Sequence, residues 1–233
     1  MPTFQLALAV FLHVPGFMAE PKVHMPLVGF RYTTHIDMDT TPTSGTASKT
    51  RSVLRREVVA SDGTTIKTRN EGMISGPDGE FAISGTTTYR LFFLVDTELM
   101  ARPAPDHALV SNGTTWDCPV TGLDRFYPLG EASRVSLACR VTGKVGGRVV
   151  RSTPVTLSFS DLGDTEVTTK AGEFDVRKLV VRAININTPE MTNEITYYFA
   201  PDLGISVVQD TKVATPHLET VTHAEVSEFT PAQ

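Results

Sequence analysis

From Phe30 onward the chain alternates apolar and polar residues with a period of two. Phe30, Tyr32 and Ile36 share one face, while Arg31, Thr33, His35 and Asp37 take the other. That is the pattern of a half-buried strand. It returns at Val135, Leu137, Cys139 and Val141, and again at Val155, Leu157 and Phe159. Further strands are expected over Ser52–Ala60, Thr64–Ile74, Glu80–Val95, Phe174–Ile186, Glu194–Phe199, Gly204–Asp210 and His217–Val226. Ser61-Asp62-Gly63, Gly76-Pro77-Asp78-Gly79 and Gly143–Gly147 read as turns between them, because glycine, asparagine and aspartate accept the backbone angles that tight reversals need. Thr40–Thr50 reads as a long hairpin loop, Ser160–Asp164 as a turn, and Ser111–Gly130 as a loop that holds Trp116.

These elements predict an all-β protein, an antiparallel meander that forms a sandwich, a barrel or a half-barrel. Amphipathic helical stretches are nearly absent, and the many threonines and valines suit a pleated surface. Pro103 and Pro105 mark a boundary that divides the chain into an apolar N-terminal segment over 1–19, one β-meander half over 20–107 and a second over 108–233. Pro26-Leu27-Val28-Gly29 and Pro128-Leu129-Gly130 open the two halves with a faint echo of each other.

At 233 residues with 40% hydrophobic content, the chain is long enough to bury a substantial core. The net charge of −5 argues against nucleic acid as a partner, since phosphate binding needs clustered cations. Arg51, Arg55 and Arg56 do cluster, and they read as a solvated strand face. Phe4–Val14 has the length of a signal-peptide core and is too short to span a bilayer, although Lys22 is the first basic residue. A periplasmic or secreted location follows as the expectation, with the cytoplasm as the alternative, and no transmembrane span. The two cysteines, Cys118 and Cys139, suit one disulfide in an exported chain. Two separate thiols would be the cytosolic counterpart.

The candidate chemistry is sparse. His217, Glu219 and His223 fall on one strand face, but the two histidines would stand about 20 Å apart, too far to share an ion. His35 lies beside Asp37 and Asp39 on a polar face. No nucleophile elbow, phosphate loop or calcium loop is present. The expectation is therefore a protein that is not an enzyme, with no catalytic residue, no metal site and no cofactor.

Several spaced motifs do stand out: Tyr127-Pro128-Leu129-Gly130, then Val167–Phe174 with Ala171-Gly172-Glu173-Phe174, then Tyr198-Phe199-Ala200-Pro201-Asp202-Leu203-Gly204. In this order they resemble a group of uncharacterised, mostly exported, β-rich bacterial proteins, a domain of unknown function. The resemblance covers the second half of the chain, and the first half only through the opening Pro26, Gly29 and Tyr32, and it implies a fold rather than a chemistry. Within these motifs Gly172, Phe174, Pro201 and Gly204 read as structural turn and strand-end residues. The functional expectation is an envelope module that binds a partner protein or a surface polymer through a sheet face or edge. The alternative is a barrel-like carrier or sensor of a hydrophobic small molecule. The scattered aromatics are expected to fill a solid core rather than line a cavity.

Overall fold

Short turns join each alternating segment to the next, so consecutive strands become antiparallel neighbours. In a computed structural model, which describes residues 23–77, 79–102, 110–119 and 134–232, twelve such strands follow in chain order. They are β1 (Arg31–Pro42), β2 (Ser48–Ser61), β3 (Thr65–Gly76), β4 (Gly79–Arg90), β5 (Phe93–Arg102), β6 (Val110–Asp117), β7 (Arg134–Val145), β8 (Arg148–Thr169), β9 (Gly172–Asn185), β10 (Thr192–Ala200), β11 (Ile205–Ala214) and β12 (Leu218–Thr230). Each pairs with its sequence neighbours, and β1 pairs with β12 to close a barrel. The all-β antiparallel expectation holds, and the barrel is the form it takes. The apolar segment 1–19 and the prolines Pro103 and Pro105 lie outside the described residues. On either side of 103–109, β5 and β6 pair directly, so strands from both halves of the chain build the one barrel.

Three sequence expectations change. The long hairpin loop expected over Thr40–Thr50 shrinks to 43–47, because Thr40–Pro42 and Ser48–Thr50 extend β1 and β2. Ser111–Asp117 is strand, not loop, because β6 is hydrogen-bonded to β5 on one side and β7 on the other. Ser160–Asp164 is not a reversal. It is a bulge inside one continuous strand of 22 residues, β8. The Asp161 carboxylate accepts the Gly163 N–H at 2.9 Å, so the extra residues are absorbed without turning the chain back.

Eight strands leave an interior that side chains just fill, and twelve leave more. One end of this barrel is filled by aromatic and branched side chains. Phe92 and Phe93 pack with Leu157, Phe159, Leu179, Tyr197 and Phe199 in one cluster, while Phe30, Tyr32, Val58, Ile66, Ile205 and Val226 form a second. The aromatic residues expected to make a solid core do so at this end. A strap before β1 covers it: the His24 N–H donates to the Pro201 carbonyl at 2.9 Å, and the Gly29 N–H donates to Val58 at 2.8 Å.

The strap docks on the Ala200–Gly204 corner. Gly204 has φ +66°, and a Cβ there would stand 2.0 Å from the His24 carbonyl oxygen. The glycine is therefore the place where the strap's backbone touches the corner. Pro201 accepts the strap's hydrogen bond through its own carbonyl. Gly172, with φ +135°, opens β9 after its turn, and Phe174 packs two residues later against the second cluster.

Arg177 stands across the β8 bulge from Asp161 and Asp164. Its Nε donates to both Asp161 oxygens at 2.8 and 2.9 Å, and its Nη1 donates to Asp164 at 2.9 Å. Burial pulls the guanidinium down, but its hydrogen bonds to the Asp164 and Asp161 carboxylates hold it above its ordinary value.

Two outcomes are expected from thermal or urea unfolding. Gly204→Ala lowers stability by about 2 kcal/mol or more, since it adds a backbone clash to the penalty of a left-handed conformation. Gly146→Ala, at φ +56° with nothing within 4 Å, loses only about 1 kcal/mol. Asp161→Ala, whose side chain is 2% exposed, costs about 2 kcal/mol because it strips a half-buried guanidinium of its bidentate partner and empties a buried site. Asp164→Ala, 82% exposed, changes stability by less than about 1 kcal/mol.

Candidate ligand-binding site

Strand alternation sends every second side chain into the barrel, and the two ends receive different residues. Away from the packed end, the inward positions are Met38 and Thr40 on β1, Thr50 and Ser52 on β2, Thr114 on β6, Thr153 on β8, Thr211 on β11 and Thr220 and Thr222 on β12. All are half-buried. The barrel is thus a cup, solid at the strap end and lined with hydroxyls toward the other. A cavity of about 280 Å³ lies at this open end, bordered by Trp116, Val141, Arg151, Thr153, Asn185, Asn193 and Val213. The Asn193 Oδ1 there is buried with no hydrogen-bond partner among the described residues.

The floor of the cup is polar on the β2–β5 side. Thr68 donates to Asn70 at 3.1 Å, Asn70 Nδ2 donates to Thr87 Oγ1 at 2.8 Å, and the Thr87 and Thr97 hydroxyls stand 3.3 Å apart. Asn70 and Thr68 are almost fully buried. A chain of satisfied polar groups in so dry a place rigidifies the wall that carries it.

Arg56 lies at the centre of this floor. Directly opposite it stand Tyr32 on β1 and Asn70 on β3. The cluster Arg51, Arg55 and Arg56, expected as a solvated face, is split by alternation. Arg51 points out and bonds Asp37 at 3.1 Å, Arg55 is exposed, and Arg56 shares the inward face of Leu54 and Val58. The even spacing of Leu54, Arg56 and Val58 was the signal that could have shown this.

Arg56 Nη1 donates to the Tyr89 hydroxyl, and its guanidinium carbon sits 5.9 Å from the centre of the Tyr32 ring. Among the described residues, no carboxylate forms an ion pair with it. Burial pulls this guanidinium down, and the Tyr89 and Tyr32 phenols more than reverse the effect. Tyr32 is pushed well above the usual phenol value, chiefly by burial, with Arg56 acting against it. Tyr197 is raised in the same direction by burial. All three groups therefore keep their ordinary neutral-pH states, an arginine cation and neutral phenols.

A second cavity, of about 40 Å³, adjoins this cluster and is bordered by Tyr32, Arg56, Tyr89, Ser206 and Gln209. Two of its polar atoms, Arg56 Nε and Ser206 Oγ, are buried with no hydrogen-bond partner among the described residues.

The other residues singled out in the sequence lie elsewhere. Cys118 and Cys139 are joined in a disulfide, with Cα atoms 4.5 Å apart, and Cys139 is packed in the first aromatic cluster. His223 is on the outer face, where Nδ1 meets Asp210 Oδ1 at 2.7 Å. Glu219 pairs outside with Lys212 at 2.8 Å, and His217 sits in the β11–β12 turn. His35 faces outward opposite Glu225. Among the described residues, no three metal-binding side chains converge. No helix is long and apolar enough to cross a membrane.

No protein-family model matches the chain, and no curated protein does. Among solved structures, the chain is similar to the hypothetical lipoprotein YmcC of Escherichia coli. The identity is 11% over 87% of this chain and 85% of that one, with a TM-score of 0.44. It is also similar to a β-barrel-like protein of the domain of unknown function DUF1849 from Brucella abortus. There the identity is 8% over 90% of this chain and 100% of that one, with a TM-score of 0.45.

The polar floor gives a direct expectation. Asn70→Ala leaves the Thr68 and Thr87 hydroxyls without their shared partner and costs about 2 kcal/mol in urea unfolding. Thr222→Val, at a half-buried position nearer the mouth, stays within about 0.5 kcal/mol of the parent.

Proposed function

We propose that this protein is a carrier or receptor that holds a small amphipathic molecule in the barrel lumen, in the oxidising space of the bacterial cell envelope. The observation that carries the reading is the cup: a closed wall, a packed floor and inward hydroxyls that remain half-buried around the open end. A cavity of about 280 Å³ lies near the lower limit of the volume small-molecule sites occupy, roughly 300–1,000 Å³. The mixture of Trp116, Val141 and Val213 with Thr153, Asn185 and Asn193 suits a ligand with both apolar and polar parts.

The outer surface offers less to a partner. A closed barrel presents no free strand edge for β-augmentation. The large hydrophobic residues exposed on the described surface include no aromatic. Many outward charges are already matched, as in Arg31–Glu57–Arg69, Lys49–Asp39 and Arg182–Glu194.

The role proposed is binding rather than catalysis. The groups that converge inside are a guanidinium, phenols, hydroxyls and amides, and an arginine held above its ordinary value cannot serve as a base at neutral pH. The envelope location is supported by the Cys118–Cys139 disulfide, since such bonds persist in oxidising compartments.

Native mass spectrometry of the protein purified gently from cells tests this reading. A noncovalent adduct that disappears on denaturation is the expected result. The adduct should also be lost in Ala224→Trp, which places an indole beside the floor, provided circular dichroism shows the barrel intact. A bare mass in the parent, together with no saturable uptake of any medium-chain amphiphile, would sink the carrier reading and return partner binding to the front.

A further inference from the structure

The lumen, read as a ligand site, contains one group whose placement specifies part of the ligand. Arg56 is a half-buried cation on the inward face of β2, and among the described residues no carboxylate pairs with it. Phenols alone do not neutralise a guanidinium. They accept its hydrogens and offer a π-face, a weaker compensation than a carboxylate gives. Its Nε still points at no acceptor, and neither does the nearby Ser206 hydroxyl. Both orphan donors border the same space of about 40 Å³.

That space is small. One water needs about 10–15 Å³ on the same measure, so there is room for roughly three water-sized atoms. The two oxygens of a planar carboxylate fit such a space, whereas a tetrahedral phosphate with four oxygens overfills it. The fork of the guanidinium also matches a carboxylate in shape.

We infer that Arg56, Ser206 and the phenols of Tyr32 and Tyr89 form a receptor for the carboxylate of the lumenal ligand. The ligand class is then a monocarboxylic acid, its head at the floor and its body directed along the lumen. This rests on the carrier reading, and the two can fail separately. Arg56 supplies the charge-assisted bonds. Tyr89 holds one arm of the fork in place through its hydroxyl, and Tyr32 supports the guanidinium face. Ser206 donates the remaining hydrogen.

The test is isothermal titration calorimetry of the full chain with decanoate and with the neutral 1-decanol at pH 7.5. The native protein should bind decanoate about tenfold or more tightly than the alcohol, the margin expected of a charge-assisted hydrogen bond. Arg56→Met should bind both with the alcohol's affinity in a barrel that circular dichroism shows intact, a loss of discrimination that a purely structural arginine would not produce. Tyr89→Phe should weaken decanoate alone, which keeps the test decisive if Arg56→Met does not fold. Equal affinity for acid and alcohol in the native protein would overturn the carboxylate receptor and leave the lumenal site standing. Binding of neither ligand would overturn both.

Discussion

A meander whose strands lie in chain order has two open edges until its first and last strands meet. Here they meet along the whole of β1, from Arg31 opposite Thr230 to Pro42 opposite Leu218. That ladder depends on a single irregularity, the bulge between Thr33 and Thr34, which brings the inward row of β1 into step with Val226 and Ala224 of β12. Closure does two things at once. It satisfies the edge hydrogen bonds that would otherwise template aggregation, and it gives every strand an inside. Because side chains alternate with a period of two, each residue's environment then follows from its parity.

Parity explains why the two ends of the barrel differ. Along β2 the inward row runs Thr50, Ser52, Leu54, Arg56, Val58, passing from hydroxyls to apolar groups with a cation between them. On β3 the row reads Ile66, Thr68, Asn70, so the polar band continues around the wall. On β8 and β9 the corresponding rows are Thr153, Val155, Leu157, Phe159 and Asn185, Ala183, Val181, Leu179, polar at the open end and apolar below it. Below its mouth the lumen therefore has a polar wall and an apolar wall above a packed floor. A ligand that satisfied both would need to be amphipathic, and it would be oriented by the polar side.

Much of this architecture was legible in the sequence. Strand alternation, turn chemistry and the Ala200–Gly204 corner are local signals, and they placed most of the β-strands in the described parts of the chain. What the sequence concealed was nonlocal. Nothing in Ser160–Asp164 distinguishes a turn from a bulge until Arg177, on the following strand, supplies the charge that both aspartates accept. Nothing in Ser111–Asp117 favours a strand over a loop until β5 and β7 bracket it. Whether the sheet folds as a sandwich or closes into a barrel depends on β1 finding β12 at the far end of the chain. The lumenal site was hidden by a different habit. Three arginines close together read as one surface patch, although their numbers, 51, 55 and 56, already put the last on the opposite face from the others.

A second arginine, half-buried at the β8 bulge, shows how this fold answers a cation with carboxylates. Arg177 sits at the β8 bulge and receives two carboxylates, one of them almost fully buried. The fold can therefore deliver acidic side chains to a half-buried cation where neutralisation serves stability. At Arg56 the positions that face it carry Tyr32, Asn70 and Tyr89 instead, each with room for an aspartate or glutamate. A cation left to phenols lacks the stronger compensation that a carboxylate gives, and a sequence that is otherwise consistent from pattern to packing keeps such an arrangement where it has a use. The use that fits the geometry is to leave the last acceptor for a molecule that arrives from outside. A carboxylate from a neighbouring strand would close that vacancy permanently, and phenols hold the fork in position while leaving its charge available.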